Sequence, residues 1–155
     1  MGERATLEVD GGPVEVTSLN DVIYPVTGFR KGEVLDYYVK ISEHLLPHLR
    51  ERPIKLKLFW EGTMRPPRDE RDAPPDFLPK WMETAEIARA HEDADMEFAL
   101  VNDVRSLLWL VNHKNYEFHP FLAKAPISRT RTRSCSISIQ DIQRTCSMLR
   151  GSHCT

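Results

Sequence analysis

Apolar and polar residues alternate along ATLEV (5–9) and PVEVT (13–17), with Gly11-Gly12 between them, and that period of two predicts a β-hairpin. In SLNDVIYPVTG (18–28), Ser18 can cap one short helical turn that Pro25 and Gly28 then end. From Lys31 the period lengthens. Val34, Tyr38, Ile41, Leu45 and Leu49 recur at three or four residues, the stripe of an amphipathic helix, with Pro47 kinking or tightening its last turn. IKLKLFW (54–60) returns to alternation, with Ile54, Leu56 and Leu58 on one face and Lys55 and Lys57 on the other. GTMRPPRDERDAPPD (62–76) is rich in proline and charge and reads as a mobile loop of a length often used for function. ETAEIARA (83–90) and MEFALV (96–101) predict two more strands, with HEDAD (91–95) an acidic turn between them. Asn102 or Asp103 caps a short, largely buried helix, DVRSLLWLVN. NYEFHPFL (115–122) is a last strand that Pro120 confines to an edge. The sum is an α/β chain (α+β, mixed sheet) with no internal repeat and no linker before residue 125.

Composition narrows the class. A chain of 155 residues suits one domain, and 41% hydrophobic with 28% charged residues is the balance of a soluble globular protein. A net charge of -2 gives no bulk attraction for nucleic acid, so any such role rests on where individual lysines and arginines stand. No apolar run reaches membrane-span length, and MGERATLEVD lacks the basic-then-apolar order of a signal peptide and the pattern for myristoylation. A cytoplasmic protein is the expectation. All three cysteines, Cys135, Cys146 and Cys154, lie in the final stretch, at spacings that match no zinc pattern and in an odd number that fits no disulfide framework.

Candidate chemistry is sparse. Lys31 follows TGFR at a helix start, where free backbone N–H groups favour an anion; the alternative is a solvated surface lysine. Lys55 and Lys57 share a strand face and can reach one ligand, or simply face water. His119, with Glu117 and Phe121 on its own face, can donate to a phosphate or bind a metal, or can cap the sheet edge structurally. His113 has no partner at ligand spacing and is expected at the surface, whereas Trp109, flanked by Leu107, Leu108 and Leu110, belongs to the core. No Gly-rich phosphate loop, GxSxG or HExxH occurs, and no carboxylate pair in the first 125 residues has motif support.

Taken in order, these segments resemble the polymerase domain of bacterial and archaeal DNA ligase D, a member of the archaeo-eukaryotic primase superfamily that serves non-homologous end joining. LNDVIYPVTGFRKGEVLDYYVKISEHLLPHLRERPIKLK carries the Y-P-x-T-G turn, the Lys three residues on, the D-Y-Y helix, H-x-x-x-R-P and a Lys-bearing strand. DAPPDFLPKW, LVNDVRSLLWLVN and YEFHPF follow in the same order, so the likeness runs from residue 15 to about 125. It implies the N-terminal part of a primase-polymerase fold over 1–126. It also implies that Lys31 contacts the 5'-phosphate at a DNA gap and that Lys57 and His119 lie in the nucleotide pocket. The partners it implies are DNA ends or gaps, nucleoside triphosphates, a ligase module and an end-binding protein. The activity it implies is template-directed addition of nucleotides, often ribonucleotides, with Mn2+ or Mg2+.

Three departures qualify the resemblance. Asp21 stands where the family has a second phosphate-binding lysine, and Arg68 and Asp69 replace two aromatics on which a DNA base stacks. The third is catalytic: the family follows its histidine strand with an L-V-F-D-L-D-P-G run whose aspartates hold the metals, and here TRTRSCSISIQ (130–140) takes that place. This chain therefore offers no catalytic residue and no metal ligand at the matched positions.

The genetic code offers a test of this substitution. With codons read one base early, each new codon joins the third base of one residue to the first two of the next. Arg133 to Ser134 then permits Val, Ser134 to Cys135 Leu, and Cys135 to Ser136 Phe or Leu where Ser136 uses a TCN codon. Ser136 to Ile137 and Ser138 to Ile139 each give N-A-T and permit Asp, with Leu between them. Ile139 to Gln140 permits Pro, and Gln140 to Asp141 permits Gly. The shifted frame thus allows V-L-F-D-L-D-P-G where the family carries it. We expect residues 127–155 to be a frameshifted tail, disordered or poorly packed, and the chain as written to be truncated before its catalytic motif and inactive. The alternative is a genuine Ser/Arg-rich tail on a non-catalytic fragment that binds 5'-phosphorylated DNA ends or nucleotide.

Overall fold

The computed structural model describes residues 4–60, 63–66, 68–70, 77–88, 96–125 and 136–138. The predicted hairpin is β1 (Arg4–Val9) and β2 (Gly12–Thr17), paired antiparallel with Leu7 opposite Val14. Its turn runs through Gly11 at φ +92° and Gly12 at φ +112°. A Cβ on Gly11 would stand 2.7 Å from the Asp103 carboxylate, so glycine lets the turn seat against the start of the second helix.

Residues 18–30 correct the expected helical turn. Ser18 sits at φ +57°, and β3 (Val22–Tyr24) pairs antiparallel with β4 (Phe29–Arg30) in a small ribbon. Pro25 supplies the physical reason, because its ring pushes the preceding Tyr24 out of the helical region. The turn closes when Gly28 and Thr27 donate their N–H groups to the Tyr24 carbonyl at 2.7 and 3.2 Å.

Helix α1 (Lys31–Leu49) buries Lys31, Val34, Leu35, Leu46 and Leu49; of the expected stripe, Val34 and Leu49 are buried and Tyr38, Ile41 and Leu45 only partly so. Pro47 lies within its last turn. The sheet comprises β5 (Pro53–Leu58), β6 (Arg68–Glu70), β7 (Thr84–Ala88), β8 (Met96–Leu100), β9 (His119–Pro120) and β10 (Ser136–Ser138). Its order is β10-β7-β8-β5-β6, with β9 also on β5; β10 runs parallel to β7 and the other pairs are antiparallel. The mixed α/β class stands.

Three strand expectations need correction. Arg68–Glu70, read as loop, pairs with Leu56, Lys57 and Leu58. The strand expected over 115–122 shrinks to His119–Pro120, with Asn115 touching Leu58 through an isolated bridge. Ser136–Ser138, expected to lack packed structure, extends the sheet beside β7. The rest of 126–155, the HEDAD turn and most of the 62–76 loop lie outside the described residues.

Helix α2 (Val104–Asn112) is capped by Asp103, whose Oδ1 accepts the Ser106 N–H at 2.7 Å. Asn102 does other work: its Oδ1 accepts the Glu51 N–H at 2.8 Å. Two apolar layers meet on α2. Leu107 and Leu110 pack with Ile54, Leu56 and Leu58 of the sheet, while Leu108 and Val111 pack with Val14 and Val16 of the hairpin. A helix apolar on both faces is a buried helix, as its sequence indicates.

Candidate phosphate and nucleotide site

Lys31 is 4% exposed, so the surface-lysine alternative is wrong. The free helix N–H groups expected beside it are also taken. Lys31 N donates to the Asp21 carbonyl at 2.8 Å and Gly32 N to the Leu19 carbonyl at 2.9 Å, while Glu33 accepts the Arg30 N–H at 2.8 Å. With the first two helix N–H groups occupied, the ammonium is the main attraction for an anion. Among the described residues no carboxylate lies within 4.0 Å of it, although the Asp21 charge is felt. Burial pulls the Lys31 pKa down, Asp21 pulls it up, and Lys114 pushes it down again. The net shift is downward, which marks an ammonium short of negative partners.

Lys57 and His119 come together as the sequence suggested. β5 and β9 place Lys55 opposite His119, and the Glu117 carboxylate joins the pair. One oxygen, Glu117 Oε2, stands 2.8 Å from Lys57 Nζ and 3.2 Å from His119 Nε2. The hydrogen bond from Lys57, then that from His119, hold the Glu117 carboxyl below the usual carboxylate range. Lys57 is also fixed from behind: Asn115, fully buried, accepts the Lys57 N–H at 2.8 Å through Oδ1. Burial raises the Tyr24 phenol pKa first, and the Glu117 charge raises it further.

Sequence reading missed Asn115, Lys114 and Trp60. An asparagine inside a strand pattern is itself unusual and was the available signal for the first. The other two carried none, because their meeting is long-range: Lys114 Nζ donates to the Trp60 carbonyl at 3.0 Å and stands 5.5 Å from the Trp60 ring centre. His113 was expected at the surface and is instead half-buried, stacked 3.7 Å from Trp109 with Nδ1 2.8 Å from the Trp109 carbonyl.

The residues do not fit the divalent metal pair that the resemblance implies. Such cations need several hard oxygen ligands. Between Glu117 and Asp141 the chain carries no carboxylate, and no group of three or more potential ligands exists among the described residues. No helix among the described residues is long and apolar enough to cross a membrane.

Comparison with known proteins identifies the family of the fold. The chain is 29% identical over 106 residues to the multifunctional non-homologous end joining protein LigD of Mycolicibacterium smegmatis, covering 68% of this chain and 14% of that protein. It is 27% identical over 109 residues to the bifunctional LigD of Bacillus subtilis, covering 70% of this chain and 17% of that one. Among solved structures it resembles the polymerase domain of Mycobacterium tuberculosis ligase D in complex with DNA. That likeness has a TM-score of 0.63 and 27% identity, over 69% of this chain and 36% of that chain. The chain thus spans a small part of the curated relatives it matches. The family model of the LigD primase-polymerase domain matches residues 30–139, more than half of the sequence, and the chain belongs to that family.

Proposed function

We propose that this chain is the N-terminal part of a DNA-repair primase-polymerase of non-homologous end joining. In that reading it engages 5'-phosphorylated DNA gaps or ends through Lys31 and a nucleoside triphosphate through Lys57 and His119. The observation that carries the reading is Lys31, a residue 4% exposed whose ammonium has no ion-pair partner among the described residues. A buried charge left uncompensated is costly, and a bound phosphate would offset that cost. Family membership supports DNA as the source of the phosphate.

The intact activity is template-directed nucleotidyl transfer that depends on Mn2+ or Mg2+. This chain as written lacks the aspartates for it, so it binds without catalysing. The frameshift reading of 127–155 is part of this proposal. The three residues of β10 are those whose shifted codons permit Asp-Leu-Asp, and their backbone lies in the sheet beside β7. Fluorescence anisotropy with a one-nucleotide gapped duplex tests the binding half. Tighter binding of the 5'-phosphorylated gap than of its 5'-hydroxyl twin is expected, and equal binding of the two would overturn the reading.

A further inference from the structure

We propose that Lys114 is the second cation of the phosphate site, so that Lys31 and Lys114 together select a terminal phosphate monoester over an internal phosphodiester. The inference rests on the reading of Lys31 as a 5'-phosphate contact and adds a residue from a different part of the chain.

The packing brings the two lysines to one place. Lys31 lies one helical turn before Val34 and Leu35, on the same face of α1, and those residues pack with Ile23 and Phe59. Phe59 is pinned to Lys114 directly, its N–H donating to the Lys114 carbonyl at 3.0 Å. The neighbouring Thr63 closes the segment onto the β3 ribbon, with Oγ1 2.7 Å and N 3.3 Å from the Ile23 carbonyl. Lys31 therefore projects toward the stretch to which Lys114 is tied.

Lys114 is held ready for a ligand. Its backbone takes φ +71° just past α2, and its ammonium rests on the neutral Trp60 carbonyl at 3.0 Å, with no carboxylate within 4.0 Å among the described residues. The downward pressure that Lys114 exerts on the Lys31 pKa is consistent with this proximity.

Charge decides the ligand class. Among the described residues, Asp21 is the carboxylate whose charge bears on Lys31. A phosphodiester carries a single negative charge, whereas a terminal monoester carries about -1.5 to -2 near neutral pH and three acceptor oxygens. Only the monoester answers both lysines while overcoming Asp21. The half-exposed Trp60 ring beside Lys114 lies where the base next to that phosphate can stack.

The test compares affinities for labelled gapped duplexes that differ only in a 5'-phosphate or 5'-hydroxyl, using the full chain and its Lys114→Ala, Lys114→Arg and Lys31→Met variants. Circular dichroism establishes that each variant is folded. The inference expects Lys114→Ala to reduce the phosphate preference about tenfold, as loss of a charged hydrogen bond does, and Lys114→Arg to restore most of it. Loss of preference in Lys31→Met but full preference in Lys114→Ala would overturn the role of Lys114 and leave the functional reading intact. No preference in the unaltered chain would overturn both.

Discussion

Lys57 and Glu117 form an ion pair of 2.8 Å on the face where a nucleotide is proposed to bind, and His119 shares the same carboxylate oxygen at 3.2 Å. A carboxylate in that position mimics one oxygen of a phosphate, so Glu117 competes with the ligand that Lys57 and His119 are proposed to hold. Glu117→Gln is predicted to strengthen binding of a nucleoside triphosphate by two- to fivefold. Glu117 is half-exposed, and exposed pairs are worth only about 0.2–1 kcal/mol. Titration calorimetry with a triphosphate checks this; weaker binding in the variant would instead make Glu117 a positioning residue.

Asn115 links stability to the same site. It is fully buried, and its Oδ1 holds the Lys57 N–H while its own N–H donates to the Leu110 carbonyl at 3.0 Å. Asn115→Ala leaves a strand N–H without its acceptor and is predicted to cost about 1–3 kcal/mol in urea unfolding. Among the described residues Asn115 Nδ2 has no partner, so the side chain acts through its carbonyl. Asn115→Asp keeps that acceptor and is predicted to hold Lys57 in place better than Ala does, read as the retained triphosphate affinity.

His113 predicts a pH dependence of stability. Burial lowers its pKa, the Trp109 carbonyl raises it, and Lys31 lowers it again, for a net downward shift from 6.5. Between the lowered folded value and the unfolded value, the unfolded chain binds more protons, so stability rises with pH there. Acidification below about pH 6.5 therefore removes stability through this group, down to its folded pKa. His113→Phe keeps the stack on Trp109 and removes the titration. The difference in unfolding midpoint between the two proteins should shift in favour of Phe as pH falls from 7.5 to 5.5, and a difference independent of pH would contradict the assignment.

The elements legible in the sequence are those whose burial alternates locally. The hairpin, α1, β5, β7, β8 and α2 each carry their own period, and the structure places each where that period indicates. The ribbon at 22–30 was missed because its form depends on Pro25 and on the Ile23 carbonyl finding Thr63, forty residues away. β6 was missed because Arg68–Glu70 has no apolar face; its partner strand supplies the order. At the site, the nearness of Lys57 and His119, which share the Glu117 carboxylate, was expected from the family resemblance and a one-sided strand pattern. The burial of Lys31 was not, because the sequence shows a lysine at a helix start and nothing of the segment packed over it.

Primer extension on a gapped template in Mn2+ tests the central claim most directly, comparing the chain as written with the product of the gene read in the frame that restores V-L-F-D-L-D-P-G. The account predicts that the chain as written binds the phosphorylated gap and adds no nucleotide, while the restored product adds the templated one. Templated addition by the chain as written would contradict it, since residues 118–140 would then be supporting metal-dependent transfer without a single carboxylate.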